Sequence, residues 1–411
     1  MRREVAAVNR TGVVIALGGA QTLAWGSSYY LPAILAMPMA RSLGLAPGMV
    51  FGAFSGALVV AALVGPLVGR RIDRHGGRGV LAASSLVFAA GLALLGLAQD
   101  AFQLFAAWLV IGLGMSLGLY EAAFATLARL YGDHARGAIT GITLLAGFAS
   151  TVCWPLSAWL DAELGWRATC LFWAGAHLAV GLPVNRLLVP KPHAGTEGAP
   201  HAAAPAAGAD GTATRAPAAA HPRRAMWLLA CIFTGSWFVA TAMAAHLPWL
   251  LQEAGASATA AIAAAAMVGP AQVAGRLLEF GLLRHVHPLL SARLAASAHP
   301  LGALALLAFG APAAIPFALL HGAGNGILTI AKGTLPLALF GPGGYGFRQG
   351  VLMVPARFAQ AGAPLLFALL MTRYGANALL LSIALALAVL AALLALVPAP
   401  ARPGLPQENP A

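Results

Sequence analysis

Five ionisable residues stand in stretches otherwise dominated by Ala, Leu, Gly and Val: Glu121, Arg276, Glu279, Lys332 and Arg357. If those stretches cross a bilayer, each charge costs at least ~2.5 to 3.5 kcal/mol, so it must meet a partner, bind a ligand or change protonation. At the rise of an α-helix, Glu121 lies about 12 Å from Arg129, Arg276 about 12 Å from Arg284, Lys332 about 13 Å from Gly341 and Arg357 about 13 Å from Arg348. Four segments therefore carry charge at a similar depth. Arg276, Lys332 and Arg357 outnumber Glu121, while Glu279 lies one turn nearer the end of its segment. A chamber shared by these groups is net positive, and an anion would satisfy it. The guanidinium fork of Arg276 or Arg357 matches a carboxylate bidentately and keeps its charge, whereas Lys332 offers a point charge.

Each residue has a second reading. Glu279 sits three residues after Arg276 on the same helix face and could neutralise it. Lys332 and Arg357 have stems long enough to reach the headgroups from about two turns away. Glu121 has no basic residue three or four positions on, so it either carries a coupling proton or forms a salt bridge to another segment. His246, in the outer part of its segment, and His321, placed mid-segment with Asn325, could contact substrate or relay a proton. Either histidine could instead be a core residue bonded to a backbone carbonyl.

The elements that hold these side chains follow from composition. Of 411 residues, 60% are hydrophobic and 9% charged, whereas a soluble domain is about a quarter charged. Runs of about 20 apolar residues, the length that crosses a bilayer core, recur from end to end. The net charge of +12 does not gather into one stripe or motif, which excludes the footprint of a nucleic-acid-binding protein. Cys153, Cys170 and Cys231 lie in apolar segments with no metal or redox spacing, so neither a disulfide framework nor a metal site is expected. The sequence implies no cofactor, and no phosphate-binding loop is present, so ATP does not drive the protein directly.

Hydropathy and turn residues place twelve transmembrane helices at about 12–38, 48–69, 79–98, 101–129, 137–160, 167–188, 225–251, 257–282, 289–310, 312–338, 350–371 and 375–397. The fold class is all-α membrane protein in two six-helix bundles, 1–190 and 225–400. Residues 191–224, rich in Ala, Pro and Gly, read as a flexible linker, and 401–411 as a tail. The stretch after Met1 is too long for a cleaved signal and reads as a retained first helix. Arg70, Arg71, Arg74, Arg78, Arg136, Arg186, Lys191, Arg215, Arg223, Arg224, Arg284, Arg293 and Arg348 fall on one side. Only Arg41, Arg167 and Arg373 fall on the other, so the linker and both termini are expected in the cytoplasm, with the protein in an inner membrane.

Gly69-Arg70-Arg71-Ile72-Asp73-Arg74-His75-Gly76-Gly77-Arg78, after the second helix, resembles the signature loop of the major facilitator superfamily. A worn copy, Phe280-Gly281-Leu282-Leu283-Arg284-His285, stands at the matching place in the second half. Two six-helix halves fit that superfamily's parallel repeat. Gly69 and Gly76 permit close helix approach and a tight turn. Asp73, with Arg74 and Arg78 beside it, is expected to gate the inner side by meeting the positive N-terminal end of the eleventh helix near Gly350. A narrower resemblance, to the oxalate/formate antiporter and monocarboxylate transporter branch, rests on His246-Leu247-Pro248-Trp249, on Gly275-Arg276-Leu277, and on Gly26-Ser27-Ser28-Tyr29-Tyr30. It implies a substrate-binding arginine at Arg276 and adds Tyr29 to the substrate contacts. Trp108 and Trp154-Pro155 depart from the pattern of drug/proton antiporters.

The function expected is therefore secondary transport of a small organic anion by alternating access, with no enzymatic activity. The protein works as a monomer whose partners are its cargo and the lipid bilayer. Substrate contacts are expected from Arg276, Arg357, Lys332, His246, Tyr29 and Asn325, and proton coupling from Glu121 and His321. Proton-coupled efflux of a drug or toxic compound is the alternative.

Overall fold

A computed structural model describes residues 10–190 and 221–397. The flanking residues 1–9 and the expected tail 401–411 lie outside it, as does the expected linker up to residue 220. Among the described residues there is no strand. Two of the apolar stretches run for 88 and 51 residues without a long loop, far more than a bilayer core about 30 Å thick can take in one pass. They fold back at glycines of positive φ: Gly132, Gly165 and Gly375. With those turns, and with the helix pair Arg10–Ser27 and Pro32–Leu43 that precedes these stretches, the described residues make twelve crossings.

The first crossing is α1 (Arg10–Ser27) with α2 (Pro32–Leu43). The second and third are α3 (Pro47–His75) and α4 (Arg78–Leu97), and the fourth is α5 (Ala101–Gly118) with α6 (Tyr120–Tyr131). The fifth combines α7 (Ala135–Ala146) with the part of α8 (Ala149–Ala176) before Gly165. The sixth is the rest of α8, continued by the π-helical turns His177–Gly181 and Val184–Leu188. In the second half α9 (Pro222–Glu253) begins inside the segment expected as linker. It is followed by α10 (Ala258–Ala266) with α11 (Val268–Gly281), then α12 (Pro288–Phe309), α13 (Ala314–Phe340), α14 (Tyr345–Tyr374) and α15 (Leu379–Ala395).

The first, fourth, fifth and eighth crossings are thus broken. The break at Leu119 turns the backbone to ψ −172° and starts α6 afresh, which places Glu121 in a first turn, where unpaired N–H groups favour a carboxylate. Broken helices inside a membrane persist only where protein or a cavity satisfies the freed backbone. Here they gather around the charges.

The halves meet most closely at the end that holds Asp73, the expected inner end. There α3 crosses α14 backbone to backbone. A Cβ on Gly69 would overlap the Gly346 carbonyl oxygen, so only glycine fits. Beside this crossing Arg136 of α7 reaches the buried Glu279 of α11 at 3.2 Å, and it donates to the carbonyls of Val286 at 2.9 Å and Leu283 at 3.2 Å. Glu279 also accepts from Ser291 Oγ. Farther from Asp73, Ser55 Oγ of α3 donates to the Ala361 carbonyl of α14 at 3.2 Å. The molecule is closed on the Asp73 side.

His287, the residue before α12, accepts the Leu289 N–H on Nδ1 at 3.2 Å and so caps that helix in its neutral form. Partial burial, and then the charges of Arg136 and Arg293, hold its pKa below the usual value. A histidine with a lowered folded-state pKa stabilises the fold above the unfolded value of about 6.5, and that contribution fades as pH falls through the folded value. Thermal unfolding of His287→Ala should therefore fall further below wild type at about pH 8 than at about pH 5. A gap that does not change with pH would remove this role for the ring.

Candidate functional site

Arg357 of α14 is 3% exposed, and it turns inward rather than toward headgroups. Its Nη2 donates to both carboxylate oxygens of Glu121, at 2.9 and 3.1 Å, across the boundary between halves. Nη1 donates to Gln360 Oε1 at 3.0 Å, and Gln360 Nε2 donates to the Tyr29 hydroxyl at 2.8 Å. One chain of bonds thus ties α6, α14 and the turn between α1 and α2. Glu121 thus forms a salt bridge to another segment. Toward Asp73 this pair borders a small cavity lined by Gly65, Gly69, Met115, Ser116, Gly350 and Met353, with about 20 Å³ open to a water-sized sphere. That is space for about one water.

Lys332 of α13 is also buried, and it neither reaches the headgroups nor finds an acceptor among the described residues. Its Nζ stands 3.9 Å from the centre of the Trp237 ring on α9, and the Arg357 guanidinium carbon is 5.7 Å from the same ring. Cation and indole face attract when desolvated, but a ring is a weak counter-ion. Trp237 in turn lies parallel to Trp25 of α1, ring centres 6.4 Å apart, and Trp25 packs on Tyr29, Tyr30 and Tyr120.

Arg276 of α11 is 5% exposed and its Nε has no hydrogen-bond partner among the described residues. Glu279 does not neutralise it, because Arg136 holds that carboxylate from the other half. The Arg276 fork lies against the α7–α8 break, where a Cβ on Gly147 would overlap Nη1. Lys332 and Arg357 are brought together with Glu121 and Tyr29, and Trp237 and Gln360 join them, while Arg276 stands at the α7–α8 break beside Gly147. Gln360 was legible only as a polar residue one turn from Arg357. Trp237 and Gly147 carry no sequence signal of their own.

Three expected contacts stand apart. His246 Nε2 meets the Pro364 carbonyl at 2.8 Å and stacks on Phe367, which is its core reading. His321 and Asn325 line a separate cavity inside the second half, among α9, α12, α13 and α15. There His321 bonds His299, a residue that sequence reasoning missed.

In the gating loop, the Asp73 carboxylate accepts the N–H of Gly346 at 2.9 Å and of Phe347 at 2.8 Å, in the first turn of α14 and one turn before Gly350. Arg129 Nη1 donates to the Asp73 carbonyl at 2.5 Å and steadies the loop. Gly76, at φ +80°, ends α3. Arg74 is exposed and Arg78 half-buried.

The sequence profile of the Major Facilitator Superfamily matches residues 17–330. The chain belongs to that superfamily. No curated protein matches it. Three solved transporters share its fold. The human organic anion transporter MFSD10 (TETRAN) is 16% identical, with TM-score 0.67 over 94% of this chain and 98% of that one. The proton:xylose symporter XylE, bound to 6-bromo-6-deoxy-D-glucose, is 12% identical, with TM-score 0.69 over 95% and 96%. FucP in the outward conformation is 13% identical, with TM-score 0.69 over 93% and 98%. The narrower resemblance to oxalate/formate and monocarboxylate carriers is not among these findings.

For a major facilitator closed on the Asp73 side, the Asp73 bonds weigh on the balance between closed and open forms. A carboxylate at a helix N-terminus is worth about 0.3–1 kcal/mol when exposed and up to ~2 kcal/mol when partly buried. Asp73→Asn should accordingly shift that balance toward open by about two- to thirtyfold. The measurement is maleimide labelling from the Asp73 side of Ser116→Cys, with Cys153, Cys170 and Cys231 replaced by serine. Equal labelling rates with and without the Asp73→Asn change would show that the carboxylate is not a gate.

Proposed function

We propose that this protein is a secondary transporter of a small organic anion, a carboxylate above all, which binds where Arg276, Lys332 and Arg357 meet between the halves. The observation that carries this reading is the charge balance of the site. Three buried cations stand against one carboxylate, Glu121, which pairs with Arg357; the other two, Arg276 and Lys332, have no ionic partner among the described residues and keep unused donor atoms. An unpaired buried charge is expensive, and an anion entering the site offsets that cost. Glu121 acts as an internal stand-in that holds Arg357 while the site is empty and yields it to the substrate. MFSD10, an organic anion transporter of the same fold, is consistent with such cargo. Alternating access then consists of breaking the Asp73 and Arg136 contacts between halves, with both termini in the cytoplasm of an inner-membrane monomer.

A second reading, efflux of a drug or toxic compound, draws on the aromatic rings of Trp25, Tyr30, Tyr120 and Trp237 beside the cations. A substrate with an apolar body would pack there.

Proteoliposomes supplied with tracer formate, acetate, oxalate or succinate, with and without a pH gradient, test the choice. Arg276→Lys keeps the charge but loses the fork. Loss of one charge-assisted contact worth about 1.5–3 kcal/mol should weaken uptake about ten- to a hundredfold. Normal anion transport by both Arg276→Lys and Arg357→Lys would place the site elsewhere and favour efflux. Glu121→Gln, which frees Arg357, should bind the anion more tightly and release it more slowly, so that exchange survives better than net uptake. Unchanged affinity in that variant would show that Glu121 does not compete with the substrate.

A further inference from the structure

We infer that His299 and His321 form a dyad that binds one proton in a cavity of its own, inside the second half and apart from the anion chamber. The His299 and His321 Nδ1 atoms lie 2.9 Å apart, and His299 Nε2 lies 3.1 Å from Ser382 Oγ. Ser382 fixes the protons. Its single hydroxyl hydrogen goes to the Leu379 carbonyl at 2.9 Å, so its oxygen must accept from His299 Nε2–H. A neutral imidazole protonated there accepts on Nδ1, so His321 donates Nδ1–H. That leaves the His321 Nε2 lone pair, which has no partner among the described residues.

The surrounding cavity can supply the proton. It has about 30 Å³ open to a water-sized sphere, space for one or two waters. Ser236 Oγ, buried and without a hydrogen-bond partner among the described residues, lies on its wall with Asn325. The groups that face the dyad are Ser236 from α9, Asn325 from α13, Ser382 from α15 and the Phe317 ring; among the described residues no carboxylate, lysine or arginine lines the cavity.

The geometry also sets the capacity at one. A proton added at His321 Nε2 leaves both existing hydrogen bonds intact. A second would need to enter at His299 Nδ1, setting two N–H donors against each other at 2.9 Å. The loaded dyad is thus a single positive charge on the helix that bears Lys332, about 16 Å further along. Added positive charge attracts an anion to the chamber, and a bound anion favours the proton, so the two travel in the same direction. This last link rests on the anion reading above, whereas the proton site does not.

The test is nitrogen NMR of the full chain in nanodiscs with ¹⁵N-labelled histidine and no substrate. At about pH 8 the spectrum should contain a hydrogen-bonded Nδ1–H tautomer for His321 and an Nε2–H tautomer for His299, assigned by loss in His321→Gln and His299→Gln. Acidification toward about pH 4 should add one proton to the pair, on His321. Ser382→Ala should keep this step but lose the bias of the His299 tautomer, and it serves where a glutamine variant does not fold. Reversed tautomers in wild type, no step in that range, or two protons taken up would each overturn the dyad. With whichever of the four tracer carboxylates wild type carries, both glutamine variants should keep exchange at equal pH but lose its stimulation by an acid exterior. Retained stimulation would sever the dyad from transport. If wild type carries none of the four, the carboxylate reading falls while the spectra still decide the proton site.

Discussion

Hydrocarbon offers no water to a charge, so every ionised side chain in the interior must be answered by another group at short range. Arg357 and Glu121 answer each other across the boundary between halves, and much of the site is arranged around that contact. The break at Leu119 brings Glu121 to a helix start, Gln360 accepts from the other terminal nitrogen of Arg357, and Tyr29 links both to the first crossing. Glu279, which could have served Arg276, is held by Arg136 instead. The consequence is an uneven distribution: the Arg136–Glu279 contact beside Asp73 is neutral and helps close the molecule, while Arg276 and Lys332 have no ionic partner among the described residues.

The twelve crossings were legible because their cause is local. A run of apolar residues long enough to cross a bilayer reports itself, and so do the glycines where it turns back. Asp73 was legible for the same reason, since its spacing from Gly69 and Gly76 lies within one loop. The partners of the intramembrane charges were not. Whether Arg276 meets Glu279 or leaves it to Arg136 depends on how two halves are rotated against each other, and no single helix face contains that information. Lys332 and Arg357 had two open readings for the same reason, and the indole of Trp237, on another helix, selects the inward one. His321 was legible as a buried histidine, but its place in an inner cavity with His299 depends on the packing of α12, α13 and α15.

The breaks in four crossings were invisible to hydropathy, because a broken span is as apolar as a straight one. They nevertheless decide the chemistry. Glu121 and Arg276 each sit beside such a break, Arg276 against the backbone at Gly147, so both charges stand where the backbone itself offers polar atoms. Breaks of this kind are the places where a crossing can bend while its two halves stay helical.

The Asp73 contact has one further property. On one side the bond depends on a side chain, and on the other it depends on main-chain N–H groups of Gly346 and Phe347. Exchange of the Phe347 ring for any side chain but proline leaves its N–H in place, whereas a side chain without two acceptor oxygens at position 73 loses at least one of the two bonds. Gly346 is constrained by space rather than by chemistry, since its backbone lies against Gly69. The two faces of one latch therefore have unequal tolerance to sequence drift. The α3 face is fixed by the identity of a functional group, and the α14 face by shape alone.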